Sequence, residues 1–125
     1  MKAIQASQAP AAIGPYSHAQ VSGKLVFTSG QIPLDPASGD VVGKNITEQT
    51  EQVIKNLKAV LEAAGSSLTQ VVKTTCFLAN MGDFAAFNEV YAKYLTGKPA
   101  RSCFMVSELP KKVLVEVEAV AEIAG

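Results

Sequence analysis

The chain has 125 residues, and its eleven basic side chains, ten Lys and the lone Arg101, are matched by eight Glu and three Asp for a net charge of zero. That balance argues against nucleic acid or an anionic membrane surface as the main partner, since both need a clustered basic excess. One histidine and two cysteines without CxxC spacing exclude a disulfide framework, make a zinc site improbable, and fit a cytoplasmic protein with reduced thiols.

The length predicts a single domain over residues 1–125 that needs no crosslink or metal to fold. Hydrophobic content of 48% and a mean hydropathy of +0.19 are high for a soluble domain, so apolar surface must be buried, a subunit interface being one candidate. The longest uncharged run, 3–23, is interrupted by polar residues, Gly and Pro. It matches neither a membrane span nor a signal peptide.

In chain order, Ser22-Gly23 between Ala-Gln-Val and Leu25 to Thr28 predicts a β-hairpin. Asp35 to Gly39 is a turn. Asn45 to Glu48 has capping-box spacing, and Val53, Ile54, Leu57, Val60, Leu61 and Ala64 recur at helical spacing before Gly65, so a helix is predicted over about 46–64. The β-branched run Val71 to Leu78 predicts a strand. Phe84, Phe87, Tyr91 and Tyr94 form an aromatic stripe on a second helix, about 84–95, read as core packing. Arg101 to Val106 and Val113 to Ile123 are two further strands.

This order suits an α+β fold, a single mixed β-sheet with two helices packed on one face. In the last strand Val113, Val115, Val117, Ala119, Ala121 and Ile123 share the helix-facing side. Leu114, Glu116, Glu118, Val120 and Glu122 share the other. That mixed face fits either a solvated sheet surface or a polar subunit interface.

Arg101 and Cys103 share one face of their strand, and Ser102 and Phe104 the other. If this strand pairs with the last one, Arg101 meets or lies beside Glu116 and Glu118. An ion pair at the strand junction is one reading. The other is a guanidinium fork for a substrate carboxylate, with Glu116 as general acid/base through a water. Gly30, ending Thr28-Ser29-Gly30, allows either a bulge or close approach of a ligand. Tyr16 taken singly is a packing residue, and His18 has the features of a satisfied structural histidine. No phosphate loop, Rossmann fingerprint or base-stacking platform is present.

Taken together, Gly14-Pro15-Tyr16-Ser17, Phe27 to Pro33, Gln49 to Gln52 with Asn56-Leu57, Val72 to Thr75, Phe87 to Tyr91, Pro99 to Cys103, Leu109-Pro110 and Val115 to Glu118 resemble the RidA/YjgF family of imine deaminases over nearly the whole chain. The resemblance implies a chorismate-mutase-like fold and a homotrimer with sites in clefts between subunits. It implies cofactor-free hydrolysis of 2-imino acids such as 2-iminopropanoate and 2-iminobutanoate to 2-keto acids and ammonia, which protects other enzymes from damage by these imines. Arg101 would bind the substrate carboxylate and Glu116 would position the attacking water. Backbone groups at Gly30 and Cys103 would contact substrate or water, Tyr16 would close the cleft, and Ser29, Asn88 and Ser102 would sit nearby. Two further readings are a non-catalytic module holding a 2-keto acid in the same cleft and a ribonuclease or translation inhibitor.

Overall fold

A computed structural model describes residues 1–123. Its elements are β1 (Lys2–Ile4), β2 (Ala19–Ser22), β3 (Leu25–Thr28), α1 (Ile46–Ala63), β4 (Val71–Leu78), α2 (Phe84–Tyr94), β5 (Ala100–Met105) and β6 (Val115–Glu122). All six strands form one mixed sheet in the order β1-β2-β3-β6-β4-β5. Only β4 and β5 run parallel, joined through α2, because a parallel pair needs a crossover connection. Both helices contribute to one hydrophobic core against one sheet face. Among the described residues no helix is long and apolar enough to cross a membrane.

Local chemistry explains the boundaries. The hairpin closes through Gly23, whose φ of +61° suits a residue without Cβ, and Ser22 pairs with Leu25. The Asn45 Oδ1 accepts from the Glu48 amide (2.9 Å), while the Glu48 carboxylate accepts from Lys44 N–H (2.8 Å), a capping box shifted by one residue. Helix α1 ends where Gly65 adopts φ +84°. The buried stripe of α1 is the predicted one, with Val53, Ile54, Leu57, Val60 and Leu61 all inaccessible.

The expected alternation of the last strand holds. Val115, Val117, Ala119 and Ala121 are buried, Glu118 and Glu122 are exposed, and Glu116 and Val120 are half-buried. The strand starts at Val115, two residues later than predicted. Lys111 and Lys112 are left-handed (φ +55° and +54°), so the chain is still turning there. Val113 then packs in a second small cluster with Ile32, Leu34 and Leu109, and the Leu114 amide goes to the Gln49 side chain (2.8 Å). Strand β1 was not predicted: three residues carry no readable alternation, and only pairing with β2 makes them a strand.

The pairing of β5 corrects the sequence expectation. It lies at the sheet edge against β4, and β4 separates it from β6. Laterally paired residues project to the same face. Arg101 pairs with Thr74, which pairs with Ala119, on the helix side; Phe104 pairs with Phe77, which pairs with Glu116, on the open side. Arg101 therefore does not lie beside the carboxylate-bearing face, and the strand-junction ion pair is not formed.

Polar side chains on α1 hold the irregular segments over the sheet. Buried Asn56 donates through Nδ2 to the carbonyls of Ile32 (3.0 Å) and Leu34 (2.9 Å) and accepts from Gln52 (3.0 Å). Gln49 bridges the Leu114 amide and the Gly43 carbonyl. Replacing Asn56 by Leu leaves two carbonyls without their donor and is expected to cost about 3 kcal/mol. Denaturant unfolding reads this directly, and a variant as stable as the parent would show the bonds to be dispensable.

Candidate functional site

The segment after β3 runs beside β6, where Gln31 and Val117 exchange backbone hydrogen bonds (2.8 and 3.1 Å). This fixes Gly30 against Glu116. A Cβ on Gly30 would overlap the Glu116 carboxylate and come within 2.8 Å of its Cδ. The glycine thus leaves room for the carboxylate in this position, and a side chain there would displace it. Burial, and then the neighbouring Glu118 charge, push the Glu116 carboxyl above its ordinary range. Among the described residues Glu116 has no ion-pair partner.

Tyr16, Ser29, Gly30 and Glu116 line one pocket of ≈ 290 Å³, with apolar walls from Ile13, Ile32 and Pro110. Ser29 Oγ donates to the Ser17 carbonyl (2.6 Å). The Tyr16 amide donates to Gly14 (2.9 Å), and its hydroxyl accepts from Ile13 N–H (3.3 Å). His18 is buried and fully bonded, as a structural histidine should be.

Arg101 belongs to a separate half. Its Nη1 donates to Asn88 Oδ1 (2.7 Å). Its Cζ lies 4.9 Å from the Tyr91 ring centroid, 5.5 Å from Phe84 and 5.9 Å from Phe87. The Tyr91 ring is itself fixed by a 2.7 Å bond between its hydroxyl and Thr74 Oγ1. Cation–π attraction and weak hydration let a guanidinium sit among rings where an ammonium would lose more solvation. Among the described residues no carboxylate pairs with Arg101, so most of its donors are uncommitted.

Cys103 projects to the same side as Arg101 and pairs with Cys76. Burial raises both thiols, Cys76 to about 12, although Arg101 counteracts the shift at Cys103. Neither is poised as a thiolate nucleophile. Ser102 projects to the open face beside Thr75 and Glu118, away from Arg101. Among the described residues no three His, Cys, Asp or Glu side chains gather as metal ligands.

Seven of the eight residues singled out from sequence thus fall into two groups. Tyr16, Ser29, Gly30 and Glu116 meet in one pocket; Asn88, Arg101 and Cys103 gather on the other side of the sheet, with Ser102 in neither. The sequence reading missed the aromatic cradle. Phe87 and Tyr91 are core residues as expected, yet they also pave the guanidinium, whereas Tyr94 turns to Glu51 beside Lys93. The available signal was Asn88, which shares a helix edge with Phe84 and Tyr91 at i+4 and i+7 spacing. The apolar walls Ile13, Ile32 and Pro110 carried no such signal.

The profile of the Endoribonuclease L-PSP family matches residues 6–123. A RutC family protein of Pyrococcus horikoshii is 53% identical over 119 residues, 94% of each chain. The 2-iminobutanoate/2-iminopropanoate deaminase of Rattus norvegicus is 46% identical over 121 residues, covering 96% of this chain and 88% of the rat protein. Escherichia coli TdcF, solved with bound serine, superposes with a TM-score of 0.93 at 40% identity, covering 99% of this chain and all of that one. The chain belongs to the Endoribonuclease L-PSP family, the group that includes the RidA, YjgF and RutC proteins.

Proposed function

We propose that this protein hydrolyses short 2-imino acids to 2-keto acids and ammonia, at sites each assembled from two copies of the chain in a homotrimer. The observation that carries this reading is the separation of Arg101 from Glu116 on opposite sheet faces, each without an ionic partner among the described residues. A guanidinium with free donors and a carboxyl with raised proton affinity are complementary halves of a site for an anionic, protonatable substrate. The name of the rat relative supports the choice of imine.

In this reaction the substrate carboxylate takes the free edge of Arg101, whose other edge is turned toward Asn88. The protonated imine carbon is already electrophilic, so orientation supplies much of the rate. Glu116 removes a proton from water as its oxygen bonds to that carbon, giving a carbinolamine. The same carboxyl then protonates the amine nitrogen. The C–N bond breaks, ammonia leaves, and the hydroxyl proton departs to solvent as the keto acid forms. Tyr16, Ile13 and Ile32 line the pocket beside Glu116.

A second reading is a module that holds a small amino or keto acid without turnover. The bound serine of the E. coli relative favours it, since carboxylate capture needs only Arg101. Calorimetry showing 2-ketobutanoate binding, with imine decay no faster than in buffer, would establish it. Ribonuclease activity has less support here, because the net charge is zero and no basic stripe interleaves the aromatic residues.

Three outcomes test the enzyme. Arg101→Lys keeps the charge but loses the planar fork, so kcat/KM should fall about tenfold or more in a dehydratase-coupled imine assay; near-normal turnover would show that a point charge suffices. Glu116→Gln should lower kcat by about 10²- to 10⁴-fold without lowering thermal stability at neutral pH. The sign follows from the raised carboxyl: the folded state holds this proton more tightly than the unfolded chain, so stability is lost as pH rises from the ordinary carboxylate value through the raised one. The Gln variant escapes that loss, and a variant less stable than the parent at neutral pH would contradict it. Finally, Arg101→Ala and Glu116→Gln chains, inactive alone, should recover up to about a quarter of parental activity when co-assembled, since random mixing of closed rings restores that fraction of two-chain sites. No recovery in verified mixed oligomers would place Arg101 and Glu116 in different sites.

A further inference from the structure

We propose that His18 is a positioning residue for this pocket, an inference that rests on the proposed function. Its imidazole clasps the N-terminal arm and thereby anchors the loop that carries Ile13 and Tyr16. The residue is 4% exposed and its ring uses both nitrogens: Nδ1 accepts from the Ala6 amide (2.8 Å), and Nε2 lies 2.7 Å from the Pro10 carbonyl. An amide can only donate and a carbonyl can only accept, so one arrangement satisfies both. Nδ1 is then the acceptor and Nε2–H the donor.

The backbone of the same residue ties the arm to the pocket floor. The His18 amide donates to the Ile4 carbonyl (3.1 Å), and the His18 carbonyl accepts from the Ser29 amide (2.9 Å). Between Pro10 and Ser17 the hydrogen bonds are internal to the loop: Ile13 N–H to the Tyr16 hydroxyl, and Tyr16 N–H to the Gly14 carbonyl. The polar anchors of the loop are therefore its two ends. Pro10 is held by the His18 ring and Ser17 by the Ser29 hydroxyl (2.6 Å). Ile13 and Tyr16, both largely exposed, depend on those anchors for their place opposite Gly30 and Glu116. The core supplies little, since neither side chain belongs to it.

The test separates holding the arm from holding the loop. The carboxamide of Gln presents an acceptor and a donor about as far apart as the two ring nitrogens, so His18→Gln preserves both bonds. The shorter Asn keeps the acceptor toward Ala6 but does not reach Pro10. Expected are His18→Gln within about threefold of the parent in kcat/KM and His18→Asn lower by about ten- to a hundredfold, with KM raised, for misplacement of the pocket wall. Hydrogen exchange should show faster exchange over residues 10–17 in the Asn variant and unchanged exchange in α1 and β6. A purely structural role would lower the active fraction and leave KM unaltered. An Asn variant with parental KM and kcat overturns the inference while leaving the enzyme intact. If the parent shows no turnover, the enzyme reading fails by itself, and the inference is then judged on 2-ketobutanoate affinity. A weaker Asn variant with a parent-like Gln variant supports it; equal affinities, or no binding by the parent, overturn it.

Discussion

Strand β4 lies between the strand that carries Arg101 and the strand that carries Glu116, and the rest of the molecule's chemistry depends on that placement. Side chains alternate across a pleated strand, so the register that sets Thr74 beside Arg101 and Phe77 beside Glu116 sends the two charges to opposite faces. Had β5 paired directly with β6 on one face, guanidinium and carboxylate could have neutralised each other. The carboxyl would then titrate low, as Glu51 does beside Lys93 and Tyr94. Instead the Glu116 carboxyl is raised, and among the described residues Arg101 is met by rings and an amide rather than by a carboxylate. Each group keeps its capacity for something outside its own chain.

Keeping two such groups unpaired requires a rigid frame, because a mobile loop would let them find other partners. The frame is made of buried polar side chains as much as of apolar ones. Gln49 and Asn56 sit on the core side of α1, where periodicity alone would place hydrophobic residues, and they satisfy backbone groups of segments outside the strands. His18 does the same for the arm. Each satisfied group fixes an irregular segment in one position, and an unsatisfied one would carry the full desolvation cost.

Local features of the fold were legible in the sequence for physical reasons. The Asn45 cap, the Gly65 stop and the burial phase of β6 arise from interactions within a few residues, and they appear where the sequence places them. Strand order was not legible. Whether β5 pairs with β4 or β6 is decided by contacts distant in sequence, and the alternation of Arg101 and Cys103 is the same in either case. The condition on which Arg101 would have lain beside Glu116, pairing of β5 with β6, fails for that reason. Three-residue β1 owes its existence to β2, so its own residues could not announce it. Gly30 was readable as special but not as the neighbour of Glu116, because the Gln31–Val117 bridge that brings them together is equally non-local.

The lone arginine gains its meaning from the cradle rather than from the charge balance. In a count of eleven acids and eleven bases Arg101 is one unit among many. Ten lysines serve the remaining positive positions, and one of these, Lys93, makes the only ion pair found among the described residues, at the surface. At position 101 the cation faces three aromatic rings and an amide oxygen. An ammonium there would give up tightly held water for ring faces, whereas a guanidinium is weakly hydrated, stacks on rings and still presents N–H groups in plane. The rings that make α2 a core helix are the same ones that surround the guanidinium, and among the described residues no carboxylate pairs with it.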